Sequence, residues 1–163
     1  MLSQVAALDH HCPRRHCCAL MSPDTLFQLA SAAVLPGWVA LALAPLARKW
    51  LVLASRCIAV LLSGLYVTLL VTGLAGDGPP PGAGFDTLDG VRLLLSSPQA
   101  LLAGWVHYLV FDLWVGSWEA EDNGATGALP HWLLLPCLAL TFLAGPTGLL
   151  LYHLLKAARK ARA

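Results

Sequence analysis

Charge is what this sequence has least of. Only 12% of its 163 residues are Asp, Glu, Lys or Arg, against 58% hydrophobic residues. A soluble domain carries about a quarter charged residues, so there is too little charge here to keep a surface solvated. The net charge is +1 and no basic stripe is present, which argues against nucleic-acid binding. No GKS/T loop and no GxGxxG occurs, so the usual phosphate-cradling turns are absent. Strict polar–apolar alternation is missing too, which disfavours a transmembrane barrel. Cys57 and Cys137 sit in separate apolar stretches, and the cysteines imply no disulfide framework.

Long apolar runs are what the sequence does have. A spanning helix needs about 20 mostly apolar residues, and four segments qualify: about 25–45, 51–74, 99–118 and 132–155. Lipid offers no partner to a free N–H or C=O, so each must be helical. The expectation is an all-α, integral membrane four-helix bundle over residues 22–156, followed by a basic tail at 157–163. Trp50, Trp118 and Trp132 fall at the expected helix ends, where an indole can place its N–H among headgroups.

The links differ in character. Arg48-Lys49-Trp50 makes a very short turn between the first two segments. The longest link, 75–98, opens AGDGPPPGAG, which cannot be helical. It continues FDTLDGVRLLLSSP, where Asp86 could cap a short helix with Leu88, Val91, Leu94 and Leu95 on one side. That stretch is either a helix lying in the interface or an ordered loop. The third link, EAEDNGATGALPH, is acidic and rich in turn residues.

Four crossings place Arg14, Arg15, Arg92, Lys156, Arg159, Lys160 and Arg162 on one side, and Arg48, Lys49 and Arg56 on the other. The bias of cytoplasmic loops toward Lys and Arg then favours both termini in the cytoplasm. The tight Arg48-Lys49 pair pulls the opposite way. Residues 1–21, with HHCPRRHCC at 10–18, read as a disordered tail or as an overextended start with Met21 the true initiator. The His/Cys spacing matches no zinc pattern, and no apolar core of a secretory signal precedes a cleavage site. No Arg/Ser-rich transit segment is present, and the Ala/Leu/Gly/Pro bias points to a multi-pass protein of a bacterial inner membrane.

The third segment holds the chemistry. GWVHYLVFDLW, residues 104–114, puts His107 and Asp112 inside an apolar run. At about 100° per residue, Trp105, Tyr108, Asp112 and Glu119 share a face, whereas His107 points about 140° away from Asp112. An ionised carboxylate deep in a bilayer costs about 2.5–3.5 kcal/mol, so Asp112 calls for a partner, a wet cavity or a proton. The bland reading is that each polar group bonds a neighbouring helix and fixes packing. The functional reading gains from two such groups in one span, with Glu119, Glu121, Asp122 and His131 near its end. No HxxxH or ExxH spacing supports a metal there. Arg56 can snorkel or pair with a carboxylate. Pro36, Pro136 and Pro146 interrupt the first and last segments, and GPTG at 145–148 is expected to kink the last helix.

These stretches carry a resemblance. LFQLASAAVLPGW, FDTLDGVRLLL, AGWVHYLVFDLWVGSW and PHWLLLPCLALTFLAGPTGLLLYHL, in that order, resemble the abscisic-acid-deficient-four-like family of small membrane proteins over roughly residues 22–156. Trp105, His107, Asp112 and Leu113 form the most specific part, and Gly145, Pro146 and Gly148 the next. Plant members are implicated in making neoxanthin from violaxanthin, an isomerisation with no redox change and no intrinsic need for a cofactor. The resemblance thus implies a lipid-soluble ligand and acid–base chemistry.

Three functions follow as expectations. The first is a cofactor-free isomerase, or its subunit, acting on a carotenoid or other isoprenoid lipid. His107 and Asp112 would be its acid–base pair, and Trp105, Tyr108, Glu119 and His131 would bind substrate. The second is an oligomeric proton or ion pathway through the same groups. The third is an accessory protein that binds a membrane partner or a second copy of itself. Metal and nucleic acid are not expected in any of the three.

Overall fold

The computed structural model describes residues 21–76 and 78–162. The His/Cys cluster at 10–18, and nearly all of the expected N-terminal tail, lie outside the described residues. The described residues form six helices and no strand: α1 (Pro23–Ala42), α2 (Ala44–Ala75), α3 (Leu88–Leu94), α4 (Pro98–Thr126), α5 (His131–Ala144) and α6 (Pro146–Lys160). Three of them, α1, α2 and α4, are long and apolar enough to cross a membrane.

Local chemistry sets the helix starts. Ser22 and Ser97 each accept a hydrogen bond from a backbone N–H three residues on, and each precedes a proline in the first turn. Proline is harmless there because its missing N–H would have no intrahelical partner. The short helix expected in the long link exists as α3, but its cap is Thr87, whose hydroxyl accepts from Gly90 N–H at 3.0 Å, and not Asp86. Arg48, Lys49 and Trp50 are not the first turn. The chain reverses at Leu43, and these residues lie in α2 beyond a kink at Ala47.

The helix α4 runs eight residues past its expected end at Trp118. The acidic link is helical because its side chains find partners. Asn123 holds the returning chain by bonding both the N–H and the C=O of Leu129, at 2.8 and 3.0 Å. Gly127, left-handed at φ 60°, closes the helix. Trp118 therefore lies within α4, partly exposed, with its ring edge-on to Tyr152 and tilted against His153, and not at a helix end.

The main correction concerns the fourth apolar segment. It is not a single spanning helix. It breaks at Gly145 and doubles back, so α5 and α6 form a tight helical hairpin. A Cβ on Gly148 would lie 2.2 Å from Thr141 N and 2.5 Å from Cys137 O, which places α6 flat against α5. With 14 residues α5 is about 21 Å long, short of the ~30 Å hydrocarbon core. Pro146 starts α6 and does not kink a continuous helix. The architecture is three long helices with a half-depth hairpin.

Directions follow from the contacts. The helix α4 runs parallel to α1, since Gly37 meets Leu113 and Trp38 meets Gly116. It runs antiparallel to α2, since Arg48 reaches Gly124 while Gln99 bonds Thr72 at 2.7 Å. The hairpin enters beside the end of α4, turns at the level of Asp112, and returns to the same end, where Lys156 pairs with Asp122. The start of α1 and the end of α6 thus lie at opposite ends of the bundle. The expectation of both termini on one side assumed four crossings.

Van der Waals packing, rather than burial from water, holds helices together in lipid. The α1–α4 seam is correspondingly tight, with Val34, Leu41, Val106 and Leu113 at most 1% exposed. Gly116 lets the Trp38 ring approach where a Cβ would be 2.6 Å away.

Candidate functional site

One face of α4 carries Trp105, Tyr108, Asp112 and Glu119, and the hairpin divides it. From Asp112 onward α5 and α6 cover that face. Before Asp112, among the described residues, neither α5 nor α6 covers it, because the hairpin stops there. The uncovered part is a groove of about 500 Å³ between the start of α1, the end of α3 and the first half of α4. Phe27, Leu95, Leu101, Gly104, Trp105 and Tyr108 line it. Trp105 is held in place from both sides. Its indole N–H donates to Ser31 Oγ at 3.0 Å, and its ring packs against Phe27 and Tyr108 at 5.4 and 5.5 Å.

Asp112 stands one turn beyond Tyr108, about 6 Å further along α4. It faces the hairpin tip, where a Cβ on Gly145 would sit 2.5 Å from Oδ1. Its Oδ2 is buried and has no hydrogen-bond partner. An unpaired buried carboxyl oxygen is costly, and a break between two half-helices at membrane depth is tolerated only where it is packed in protein or lines a cavity. Asp112 therefore places one unpaired oxygen a turn beyond Tyr108, the residue of α4 nearest to it that lines the groove.

His107 is elsewhere. It is exposed on the other side of α4, stacked on Phe111 at 4.4 Å and near Tyr66 of α2 at 5.5 Å. The structure does not bring His107 and Asp112 together, as the 140° separation along one helix foreshadowed. Glu119 shares the Asp112 face but lies beneath the hairpin, 0% exposed, with Thr141 Oγ1 donating to its oxygens at 3.0 and 3.2 Å. His131 starts α5 and bonds the Ala42 carbonyl at 2.8 Å, tying the hairpin to the end of α1. Of the expected site residues only Trp105 and Tyr108 line the groove; His107, Asp112, Glu119 and His131 do not.

The far end of the bundle is braced by ion pairs. The Arg56 guanidinium donates to Ser117 Oγ at 3.2 Å and grips Glu121 with two nitrogens, while lying 5.4 Å over the Trp114 ring. Asp122 accepts from the Tyr152 hydroxyl and from Lys156. Tyr152 and Thr141 were not singled out in the sequence, and Lys156 only as one of the charges that bear on orientation. Only GPTG, taken as a reversal rather than a kink, would have pointed to them.

The family model described as ABA DEFICIENT 4-like matches residues 25–152. The chain belongs to this family. The ABA DEFICIENT 4-like match takes in α1 from its third residue, α2, α3, α4, most of the groove lining and the hairpin through Tyr152. No curated protein and no solved structure matches the chain. The fold of this chain and its candidate site therefore rest on the geometry above.

Proposed function

We propose that this membrane protein is a cofactor-independent isomerase, or the subunit of one, acting on an isoprenoid lipid such as a carotenoid held in the α1–α4 groove. The observation that carries the proposal is the buried, unpartnered Oδ2 of Asp112, one turn beyond Tyr108, which lines an apolar groove. An elongated hydrocarbon fits the lining of Phe27, Leu101 and Trp105. Family membership supports a membrane protein of this kind.

In such a reaction one proton is added to the substrate at one atom and one is removed at another. Composition is unchanged and no co-reactant is needed. Asp112 supplies or takes one proton, and the Tyr108 hydroxyl, one turn nearer the groove, is the second proton-bearing group. His107 is left out of this chemistry because it faces away.

The test compares lipid and pigment extracts by mass spectrometry from a deletion strain. The strain carries wild type, Asp112→Asn or empty vector, at matched protein levels in the membrane. A compound of unchanged mass whose retention shifts only with wild type supports the isomerase. Identical extracts from all three sink it for that host's lipids.

One observation favours a second reading, a proton pathway. Glu119 lies two turns beyond Asp112 on the same face, wholly buried and, among the described residues, without a cation, with the Asp122–Tyr152–Lys156 group one turn further along. Proton flux in liposomes that Glu119→Gln abolishes would favour it.

A further inference from the structure

The hairpin rearranges the charges of the chain. Under four crossings Arg48, Lys49 and Arg56 stood opposite the basic tail, so the tight Arg48-Lys49 pair opposed the seven-to-three majority that favoured cytoplasmic termini. With three crossings and a hairpin they collect at one end. Arg48 reaches Gly124, Arg56 grips Glu121, and Lys156 pairs with Asp122. Lys49 lies next to Arg48, Arg159 and Lys160 form the last turn of α6, and Arg162 follows. Seven of the ten Lys and Arg residues therefore belong to this end. Among the described residues the other end holds Arg92 alone, itself paired with Asp89 at 3.4 Å. Even with Arg14 and Arg15 assigned to the side where α1 begins, the division is seven against three. Lys and Arg flanking the spans are what set orientation, whereas Asp and Glu contribute little.

We infer that the end carrying Arg48, Lys49 and the last turn of α6 faces the cytoplasm, so that the hairpin enters from the cytoplasmic side and the groove opens into the opposite leaflet. The groove lies wholly in the half of the bundle that the hairpin does not reach, among the first turns of α1 and α4 and the end of α3. Phe27, Leu101 and Trp105 stay partly exposed along its wall, so a lipid can enter sideways from that leaflet. Asp112, one turn beyond Tyr108, then meets whatever part of the molecule reaches mid-membrane. The leaflet assignment takes the groove as the ligand site, in line with the proposed function. The orientation itself does not depend on that reading.

The test uses single cysteines in the full-length chain with its native cysteines replaced. Leu88→Cys and Phe85→Cys report the groove end, since both residues are more than four-fifths exposed. Arg159→Cys reports the hairpin end. Intact cells are treated with a membrane-impermeant maleimide, before or after lysis, at matched protein levels. The expected result is full labelling of the Leu88 and Phe85 variants in intact cells, and labelling of the Arg159 variant only after lysis. The reverse pattern overturns the orientation and moves the groove to the cytoplasmic leaflet. Equal labelling of all three, in intact cells or only after lysis, puts both ends on one side and overturns the three-crossing topology with it. None of these outcomes alters the lipid extracts, so failure here and failure of the isomerase reading are distinguishable.

Discussion

Gly145 and Asp112 close on each other where the hairpin tip meets α4, and the Cβ that Gly145 lacks would lie 2.5 Å from the Asp112 carboxylate oxygen. The reversal and the unsatisfied carboxyl group are thus one feature. At φ 20° Gly145 has a backbone that side chains disfavour, and Pro146 immediately restarts the helix.

The reversal leaves Gly148 the least room for a side chain of any described glycine. Its missing Cβ would strike Thr141 N and Cys137 O, both backbone atoms that cannot swing aside. Overpacking of a tight interior costs about 1–3 kcal/mol, and backbone collisions belong at the top of that range. Gly148→Ala is expected to lower the thermal midpoint of purified protein in detergent by several degrees. Gly64→Ala is the control, since its Cβ would meet nothing within 4 Å. Equal midpoints for the two variants would mean that α5 and α6 do not pack as described.

Asp112 and His107 separate the functional reading from the packing one. Asp112→Asn keeps the shape of the side chain but removes its capacity to carry a proton. Loss of any lipid conversion with unchanged accumulation in the membrane is expected. His107→Ala removes an exposed stacking contact with Phe111. It is expected to leave conversion within about twofold, a change of under 1 kcal/mol in the barrier. If His107→Ala abolishes conversion as Asp112→Asn does, the chemistry is not confined to the groove face.

Much of this was legible in the sequence, and the limit is specific. Apolar length predicted α1, α2 and α4, and helical spacing put Trp105, Tyr108, Asp112 and Glu119 on one face with His107 off it. Hydropathy does not register a reversal, however. The residues on both sides of Gly145 are equally apolar, so a hairpin and a span give the same profile. The surroundings of Asp112 and Glu119 therefore could not be read from spacing, and Glu119, expected to bind substrate, is buried against Thr141 instead. The end of α4 was missed for a related reason. Its acidic residues suggest a loop, but Arg56 and Lys156, distant in sequence, pair with Glu121 and Asp122 and keep it helical.

The pair of Asp122 with Lys156 offers a measure of how firmly α6 is docked. Its side chains are 23% and 31% exposed, so it lies between a surface pair and a buried one. Exposed pairs contribute about 0.2–1 kcal/mol, and breaking a buried pair costs about 3–5 kcal/mol. Lys156→Met is expected to cost about 1–3 kcal/mol, with Asp122→Asn similar. In a double-mutant cycle the combined variant should lose less than the sum, because each single change already breaks the contact. Additive losses would place the two groups apart.

Gly104 tests the groove without touching any proton-bearing group. It lines the groove, and a Cβ there would meet Leu95 Cδ2 at 3.5 Å, which is ordinary contact. Gly104→Ala is therefore expected to fold normally and to keep most ligand capacity. Gly104→Leu extends a branched side chain into the space beside Trp105 and Tyr108. That variant should accumulate in the membrane like wild type but copurify with much less lipid when extracts of the pure protein are weighed by mass spectrometry. A graded loss from glycine through alanine to leucine is the signature of a filled site. If the bound lipid is the same in amount and kind for all three, the groove does not hold the ligand, and the unpaired oxygen of Asp112 must be satisfied from another direction.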